Sequence, residues 1–556
     1  MSTPTRFLTA VADRYRLSHE LERRMRRPQR HRLLHGYPLT GAMSRRQQRS
    51  PGREVQFKSE ADRKLLVGVL PHPFCNPKVR GCGFCTFPHQ KFSSSMARAV
   101  VDRVVTEIQQ RLVAQPSPRR RKVAALYFGG ATANMTPPDA FQELCKSLHD
   151  SFDLREAEVT LEGVPIHFVK GRRPLVDIMQ DELPARHFRI SMGIQTFSKP
   201  QLERMGRLAF GTPTTFGEAV DRAHRRGFTA SADLLINLPN QSIEEMRQDV
   251  RQAIDLGLDH LGLYHLVLFA GLGTEWSRDR SMLEGLPSND AAAANWMELR
   301  ELPLSQGFRQ TTLTNFERAD LEESPSRFVY EEHSFQPSHC DVLGFGPTAL
   351  SFAADWAFEH ARKTMNPESA ADYMAAVDFG RGAWEREFDY GPRDLRILYL
   401  TRRLAALRID RSGYRKLFDT DPMEDFRQEL ELLSRKGLLE ATPSEIRPTP
   451  EGIFYADTIA GLLAWQRLES VRCQPITVTG KGREELAYRH RNALNSASAW
   501  VADLGILSVL AALLWAGGAI LILFVIFIVI LSVLCLSVLG LSVLDEGSND
   551  NTEGHM

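Results

Sequence analysis

From Lys64 onward the chain alternates short apolar runs with longer amphipathic segments. Apolar runs bounded by turn residues predict buried strands, whereas apolar positions at helical spacing predict amphipathic helices. The predicted strands are Lys64–Leu70, Val123–Phe128, Glu158–Glu162, His187–Ile194, Thr229–Leu238 and His260–Leu268. The helices predicted between them include Met96–Leu112, Pro138–Phe152, Thr215–Gly227 and Ser242–Leu256. This succession predicts an α/β fold with a parallel sheet, open or curled into a partial (β/α)6 barrel over residues 61–360, whose working loops follow the C-terminal ends of the strands.

Helical periodicity dominates after about residue 360. Apolar spacing predicts helices at Ala370–Val377, Pro392–Leu407 and Met423–Lys436, and a turn-rich stretch then leads to a helix from Ile453. We therefore expect a compact helical domain over residues 361–470, closed by a small wing. Acidic side chains such as Glu424 are mixed with basic ones there, which favours a covering or packing role over DNA binding.

The N-terminal residues 1–60 are rich in arginine and contain no apolar stretch that could serve as a signal sequence. They predict a basic, partly helical extension. A solvated helix face and a contact with anionic lipid or nucleic acid both fit this composition. A basic linker follows the helical domain over residues 471–502.

The C-terminal part contains a long apolar run, with no charged residue between Leu504 and Leu544. One helix of that length would be about 60 Å long, roughly twice the hydrocarbon thickness of a bilayer. We expect a transmembrane segment or hairpin over residues 503–545, followed by an acidic tail over 546–556. The basic residues 489–491 precede the run, so the positive-inside rule predicts a membrane-anchored protein whose catalytic domain faces the cytoplasm.

The composition is that of a globular protein. Hydrophobic residues make up 43% of the chain and charged residues 25%, which excludes a disordered, collagen-like or disulfide-stapled chain. The 69 basic and 68 acidic residues leave a formal charge of +1, so no nucleic-acid partner is expected. The chain has 7 cysteines, and their clustering in one loop suggests a reduced compartment and a metal.

That loop follows the first predicted strand and carries Cys75, Cys82 and Cys85. Three thiolates in one loop suit a 4Fe-4S cluster that leaves one iron open to a small molecule. A structural zinc site completed by His72 or His89 is one alternative, and ordinary packing cysteines are another. Zinc favours paired C-x-x-C knuckles, and in this loop only Cys82 and Cys85 form one.

The loop resembles the radical SAM cysteine motif, with residues 76–81 making its first spacing longer than that family's usual three. Further segments resemble, in order, the motifs of the HemN-like branch, which is related to oxygen-independent coproporphyrinogen III oxidase. These segments are Tyr127–Thr132 (Y-F-G-G-A-T), Leu161–Pro165 (L-E-G-V-P), Arg189–Phe197 (R-I-S-M-G-I-Q-T-F), Asp233–Pro239 (D-L-L-I-N-L-P) and Leu343–Phe352 (L-G-F-G-P-T-A-L-S-F). The resemblance covers roughly residues 60–470.

The resemblance implies a 4Fe-4S cluster held by the three cysteines and one or two molecules of S-adenosylmethionine (SAM). The implied SAM-binding residues are Phe84, Gly129, Gly130, Ala131, Thr132, Glu162, Gln195, Arg207 and Asp233. Glycine lets the backbone approach a ligand closely, carboxylates accept hydrogen bonds from ammonium or ribose groups, and arginine pairs with a carboxylate. The structural alternatives are a plain tight turn for Gly129 and Gly130, a core aromatic side chain for Phe84, and a helix N-cap for Glu162 or Asp233.

Departures from the branch bear on the reaction. Porphyrinogen-decarboxylating members carry a fourth cysteine where this chain has Phe87, and a tyrosine where it has Val69. These departures argue against coproporphyrinogen oxidation, and other members of the branch are methyltransferases. We therefore expect carbon methylation or related C–C bond formation, and the apolar C-terminal run suggests a lipophilic or tetrapyrrole-like substrate. Coproporphyrinogen-type decarboxylation and a membrane-anchored haem chaperone are the alternatives. The expected partners are a small-molecule or lipid substrate, a reductant such as flavodoxin or ferredoxin, and the membrane. No residue is assigned to the substrate chemistry itself.

Overall fold

The computed structural model describes residues 16–29, 37–46, 55–57, 63–75, 82–171, 173–380 and 382–472. These residues belong to one compact unit, Met1–Cys473, and a second unit comprises Gln474–Met556. The predicted transmembrane segment, the acidic tail, nearly all of the basic linker and much of the N-terminal extension lie outside the described residues. Within the described ranges, no helix combines the length and the apolar character needed to cross a membrane.

A 13-stranded sheet organises the unit, in the order β1-β15-β14-β13-β12-β2-β5-β6-β7-β8-β9-β11-β10. Its strands are β1 Ser44–Arg45, β2 Lys64–Val69, β5 Val123–Phe128, β6 Glu158–Gly163, β7 His187–Gln195, β8 Thr229–Ile236, β9 His260–His265, β10 Phe308–Gln310, β11 Asn315–Arg318, β12 Cys340–Phe345, β13 Leu350–Asp355, β14 His360–Met365 and β15 Arg386–Tyr390. Two smaller sheets contain β3 Phe74–Cys75 with β4 Gln90–Lys91, and β16 Ile409–Asp410, β17 Leu439–Ala441 and β18 Glu445–Pro448.

The helices follow the strands in alternation as far as β9. They are α1 over residues 16–25, α2 Ser94–Ala114, α3 Pro138–Ser151, α4 Pro165–Val169, α5 Leu175–Glu182, α6 Lys199–Arg204, α7 Pro213–Arg225, α8 Ile243–Asp255, α9 Arg280–Glu284, α10 Asn289–Ser305, α11 Tyr330–Ser334, α12 Ala370–Asp378, α13 Pro392–Ala405, α14 Arg411–Phe418, α15 Pro422–Asp425, α16 Arg427–Arg435, α17 Pro450–Phe454, α18 Ala456–Leu463 and α19 Trp465–Arg472.

The six predicted strands form a parallel run, from β2 through β5, β6, β7 and β8 to β9. They are found where predicted because a parallel strand covered on both faces reads as a continuous apolar run. Three of them end earlier than predicted, and the first, β2, stops at Val69 rather than Leu70. Asn237, with a φ of 60°, ends β8 before Leu238, and β9 stops at His265. In contrast, β7 continues one residue past its predicted end, to Gln195, through a register shift between Gly193 and Gln195.

The two faces of the parallel run differ in chemistry. Outward-facing residues of β2 such as Leu65 and Val67 join the main apolar core with the helices that cover the sheet. Inward-facing residues alternate with them and include many polar side chains, for example Arg189 and Ser191 of β7. This concave face holds the candidate site.

The strands after β9 were not predicted individually. β12 pairs in parallel with β2, on the side of β2 away from β5, and the antiparallel strands β13, β14 and β15 extend the same sheet. The expected boundary between residues 360 and 361 falls inside β14, so one sheet runs continuously through it. The predicted helices at 370–377, 392–407 and 423–436 appear as α12, α13 and α15–α16. The predicted wing is the small sheet β16-β18-β17.

Candidate functional site

The cysteine loop lies beyond the C-terminal end of β2. Cys75 ends β3, whose pairing with β4 brings the two ends of the loop together. On the other side of the loop, the Trp276 backbone N–H donates to the Gly83 carbonyl at 2.9 Å, and the rings of Phe84 and Trp276 meet edge to face with centroids 5.8 Å apart. Gly83 has a φ of +56°, and a Cβ on it would lie 2.2 Å from Trp276 Nε1. The C-x-x-C segment is therefore packed tightly against Trp276.

The three thiols lie close enough to influence one another. Burial raises the pKa of Cys75 to about 11, and Cys82 and Cys85 raise it further, whereas the Thr132 hydroxyl and the Arg207 guanidinium lower it. Thr132 Oγ1 donates to Cys75 Sγ at 3.5 Å, and Arg207 Nη1 donates to Cys82 Sγ at 3.0 Å. A bound metal displaces the proton of a buried thiol, and the donors aimed at Cys75 and Cys82 would stabilise the resulting thiolates. The donor set fits a cluster whose negative sulfurs these same groups would stabilise.

The zinc alternative fits less well. In the described part of the chain, no three His, Cys, Asp or Glu side chains converge on a point where one metal ion could be held. His72 is buried, with its Nδ1 accepting from the Phe74 backbone N–H at 3.2 Å, and His89 Nδ1 lies 2.9 Å from the Phe87 carbonyl. In a 4Fe-4S cluster each thiolate binds a different iron, so the three sulfurs need not converge on a single atom.

The glycine-rich turn follows β5, beside the cysteines. Its first member, Gly129, donates from its backbone N–H to the Val69 carbonyl at 3.0 Å, and a Cβ there would lie 2.8 Å from Glu162 Oε2. Gly130 has a φ of +113°, a conformation that a residue with a side chain adopts only under strain. Ala131 remains partly exposed, whereas Thr132 is buried against Cys75. The turn thus exposes backbone between the cluster loop and the Glu162 carboxylate.

Two carboxylates face this turn from the concave side of the sheet. Burial raises the pKa of Glu162 to about 7, and the charge of Asp233 adds to the increase. Burial also raises the pKa of Asp233 to about 6, against the lowering effect of Arg189 and Arg207. Gly262 of β9 makes room for Asp233, since a Cβ there would lie 2.5 Å from Asp233 Oδ1. A cationic ligand would lower the pKa of both groups and hold them ionised.

Gln195 and Arg207 complete the side of the site opposite Gly129. Gln195 has a φ of 73° at the irregular end of β7. A Cβ on Gly193 would lie 2.8 Å from Gln195 Nε2 and 3.2 Å from Arg207 Nη2, so both side chains cross directly over that glycine. Arg207 Nη2 also donates to the Gly193 carbonyl. The structure thus links Arg207 to the cysteine loop at one guanidinium nitrogen and to β7 at the other.

Below these groups lies Arg189, which the sequence interpretation did not select. It is buried, and its guanidinium contacts Ser231 Oγ at 2.6 Å and His260 Nδ1 at 3.3 Å, with its carbon 3.7 Å from the centre of the Phe328 ring. Its charge lowers the pKa of both Glu162 and Asp233. The alternation of Arg189, Ser191 and Gly193 with apolar residues along β7 is the sequence signal that places them on one face.

Aromatic side chains continue the concave face. The Tyr127 side chain lies against Glu162, and its ring centroid is 4.7 Å from that of Tyr330 in α11. Beside them, burial raises the pKa of Glu331 to about 8, and Asn315 Nδ2 donates to its carboxylate. Tyr127, Tyr330 and Glu331 remain partly exposed although they lie inside the curved sheet. The interior is therefore open enough to admit solvent or a ligand.

The structure brings together the predicted residues Cys75, Cys82, Gly129, Thr132, Glu162, Gln195, Arg207 and Asp233. Cys85 joins them through its charge interaction with Cys75. Phe84 faces Trp276, which leaves its backbone, but less of its ring, for a ligand. The arrangement places three thiols, a glycine-containing backbone turn, two carboxylates and one guanidinium around one region. Such a set can hold an iron–sulfur cluster and a zwitterionic ligand that carries both an ammonium and a carboxylate.

Comparisons with known proteins agree with this chemistry. The family model for the radical SAM superfamily matches residues 69–253, and that family uses a 4Fe-4S cluster and S-adenosylmethionine. The chain is 26% identical over 246 residues to the haem chaperone HemW of Lactococcus lactis, covering 44% of this chain and 60% of that protein. It is 24% identical over 443 residues to anaerobilin synthase of Escherichia coli O157:H7, covering 76% of this chain and 89% of that protein.

The fold is also similar to a solved structure. Coproporphyrinogen III oxidase (HemN) from Escherichia coli superposes with a TM-score of 0.60 and 20% identity, covering 72% of this chain and 90% of that one. The similarity extends well past residue 253, so the shared architecture includes much of the sheet and helices that follow β8.

Proposed function

Because residues 69–253 are a radical SAM domain with HemN- and HemW-like relatives, we propose that this chain is a radical SAM enzyme that acts on a tetrapyrrole-like substrate. The observation that carries the proposal is the contact of Arg207 with Cys82 on one side and with Gly193 on the other. That contact joins the cluster loop to the strand ends that present Glu162, Gln195 and Asp233. When bound, the cluster and SAM supply a 5′-deoxyadenosyl radical by reductive cleavage of the sulfonium.

The residues of the chain have defined tasks in this proposal. Cys75, Cys82 and Cys85 hold the cluster, and Thr132 and Arg207 donate to its thiolates. Glu162 and Asp233 accept hydrogen bonds from the ammonium and ribose of SAM, and Arg207 pairs with its carboxylate. Arg189 holds a positive charge beneath the two carboxylates, which lowers their pKa values and favours their ionised forms.

The substrate class follows from the relatives and from the interior surface. Haem and coproporphyrinogen, named in two of the relatives, are both tetrapyrroles. The concave face offers the aromatic side chains of Tyr127 and Tyr330, whose tilted rings lie 4.7 Å apart and suit contact with the pyrrole rings of such a substrate. Phe87, in place of a fourth cysteine, supports carbon methylation over decarboxylation. A second SAM molecule would then donate the methyl group and leave as S-adenosylhomocysteine.

The proposed setting is the cytoplasmic face of a membrane, with the apolar run over residues 503–545 as the anchor and a flavodoxin or ferredoxin as the reductant. The support is the absence of charged residues between Leu504 and Leu544 and the basic residues that precede them. An anchor raises the local concentration of a lipophilic substrate near the active site.

The experiment is an anaerobic assay of the full chain, reconstituted with iron and sulfide and supplied with dithionite, SAM and coproporphyrinogen III or haem. We expect 5′-deoxyadenosine from the wild type and none from Cys82→Ala. Cys145→Ala is the matched control, because Cys145 is buried in α3 and should be needed only for packing. S-adenosylhomocysteine would indicate methyl transfer. Stoichiometric haem binding without SAM cleavage would instead favour a haem chaperone. The absence of both SAM cleavage and haem binding would refute the proposal.

A further inference from the structure

The concave face of the sheet continues beyond the candidate site, beneath β12, β13 and β14. Leu66 pairs with Val342, Val342 with Phe352, and Phe352 with Lys363, so these four side chains point to the same side of the sheet. Leu66 and Val342 pack in one cluster with Tyr330 of α11. Lys363 therefore lies on the same interior face as Tyr330, several strands away from the cysteines.

Arg402 approaches this face from α13. This helix packs against β14 and β15, and Arg402 Nη1 donates to the Ser334 carbonyl at the end of α11 at 3.3 Å. Its charge acts on the hydroxyls of Tyr330 and Tyr390. The guanidinium is thus positioned between α11 and the strand ends of β14 and β15.

The charge of Arg402 is not compensated in the ordinary way. Among the residues that the structure describes, no Asp or Glu lies within ion-pair distance of Arg402, and the side chain remains partly exposed. Arg396 on the same helix is different, because it pairs with Glu359 at 2.8 Å and with Asp425 at 3.1 Å. Partly buried charges in proteins are normally paired, so an enclosed arginine facing tyrosines is suited to an external anion.

Lys363 adds a second positive charge at this place. It is buried, and its Nζ donates to the Pro38 carbonyl at 3.3 Å. Burial, together with the charge of Arg402, lowers the pKa of Lys363 to about 7. Two neighbouring cations disfavour each other in an enclosed region, and an anion bound between or beside them would relieve that repulsion.

An aromatic surface connects these cations to the candidate SAM site. The ring of Tyr330, on which the charge of Arg402 acts, lies tilted against that of Tyr127 with 4.7 Å between centroids, and Tyr127 lies against Glu162. Phe352 borders the same surface and remains partly exposed. A flat ligand placed against these rings would have one edge near the carboxylates of Glu162 and Asp233 and the opposite edge near Arg402.

From this placement we propose that Arg402, supported by Lys363, forms a subsite that binds a carboxylate on the edge of a planar tetrapyrrole-type substrate. The subsite rests on the proposed function, since it names the substrate's acidic side chain as the group recognised at the far part of the same concave face. An arginine pairs with a carboxylate through two parallel N–H···O bonds, which would fix the orientation of the ring over Tyr330.

The test is a fluorescence titration of the full chain in mild detergent with coproporphyrin III and, separately, with its tetramethyl ester. The two probes share the ring and differ in charge. We expect the wild type to bind the acid at least about tenfold more tightly than the ester, because a hydrogen bond to a charged group contributes about 1.5–3 kcal/mol. Arg402→Met should bind the acid no more tightly than the ester, and Arg402→Lys should retain part of the preference. Arg396→Met is the matched control and should retain the wild-type preference.

The outcomes separate the subsite from the proposed function. Equal binding of acid and ester by the wild type would overturn the subsite, whether or not the variants fold. An unchanged preference for the acid over the ester in a folded Arg402→Met would also overturn it. Both results would leave porphyrin binding and 5′-deoxyadenosine formation intact as support for the function. If the wild type binds neither probe, the subsite is overturned, and the separate SAM-cleavage assay shows whether the radical function falls with it.

Discussion

Gly83→Ala tests whether the packing of the C-x-x-C segment against Trp276 determines the geometry of the cysteine loop. The substitution has two effects. Gly83 has a φ of +56°, and an L side chain in that left-handed region costs about 1–2 kcal/mol. The new Cβ would also lie 2.2 Å from Trp276 Nε1 and 2.5 Å from its Cδ1, and Trp276 is only 3% exposed. Overpacking of that kind typically costs a further 1–3 kcal/mol, so we expect about 2–5 kcal/mol in total.

Gly227→Ala is the matched control. Gly227 has a φ of +73°, and a Cβ added there would have no neighbouring atom within 4 Å, so its substitution carries the backbone cost alone. The measurement is the iron retained per chain after anaerobic reconstitution and challenge with a chelator, together with the melting temperature. We expect Gly83→Ala to retain iron at least about tenfold less well than Gly227→Ala, because each 1.4 kcal/mol corresponds to a factor of ten. Equal retention by the two variants would refute the reasoning that Trp276 constrains the loop.

Three further predictions follow from the site. Arg207→Met should weaken SAM binding at least about tenfold in equilibrium dialysis, since it removes a charged partner, whereas Arg204→Met, which loses a bond to the Pro239 carbonyl, should change it little. The pKa of Glu162 is raised to about 7 in the folded chain, so the folded state holds more protons than the unfolded state between about pH 4.5 and 7, and its stability falls as pH rises through that window. The melting temperature of the cofactor-free protein should therefore drop between about pH 4.5 and pH 7, and Glu162→Gln should reduce the drop; an identical drop in both would contradict the assignment. Deletion of residues 499–556 should move the protein from the membrane to the soluble fraction, and continued sedimentation with membranes would refute the proposed anchor.

The parallel run from β2 to β9 could be predicted from the sequence because helices bury one face of its strands and most of the side chains on the other face are buried as well. Runs such as Val123–Phe128 carry few polar residues, and buried parallel strands have that composition. The later strands could not be predicted in the same way. β14, with the sequence His-Ala-Arg-Lys-Thr-Met, is mixed in polarity because it pairs in an antiparallel part of the sheet and carries a charged side chain on each face, Arg362 on one and Lys363 on the other. Its membership of the sheet depends on pairing with residues close in space.

The residues of the candidate site likewise divide into those that the sequence could predict and those that it could not. The motif residues Gly129, Glu162 and Gln195 follow neighbouring parallel strands, and parallel topology alone brings such positions to one edge. Arg189 contributes from further down β7, and its role depends on carboxylates supplied by other strands. Arg402 belongs to a helix more than 160 residues away from Gln195 or Arg207 along the chain, and no local pattern links it to the cavity. Such residues become visible only when the tertiary structure is known.

The pairing of β2 with β12 has a consequence for the synthesis of the chain. Lys64 pairs with Cys340, so the strand that leads into the cysteine loop has one open edge until the ribosome has produced the residues of β12. At about 5–20 residues per second, roughly ten to forty seconds separate the emergence of β5 from that of β12. During that interval an apolar strand presents unpaired backbone groups, which is the situation that promotes aggregation. Slow translation or limited chaperone capacity should therefore reduce the yield of soluble nascent chains before any iron is delivered to the three cysteines.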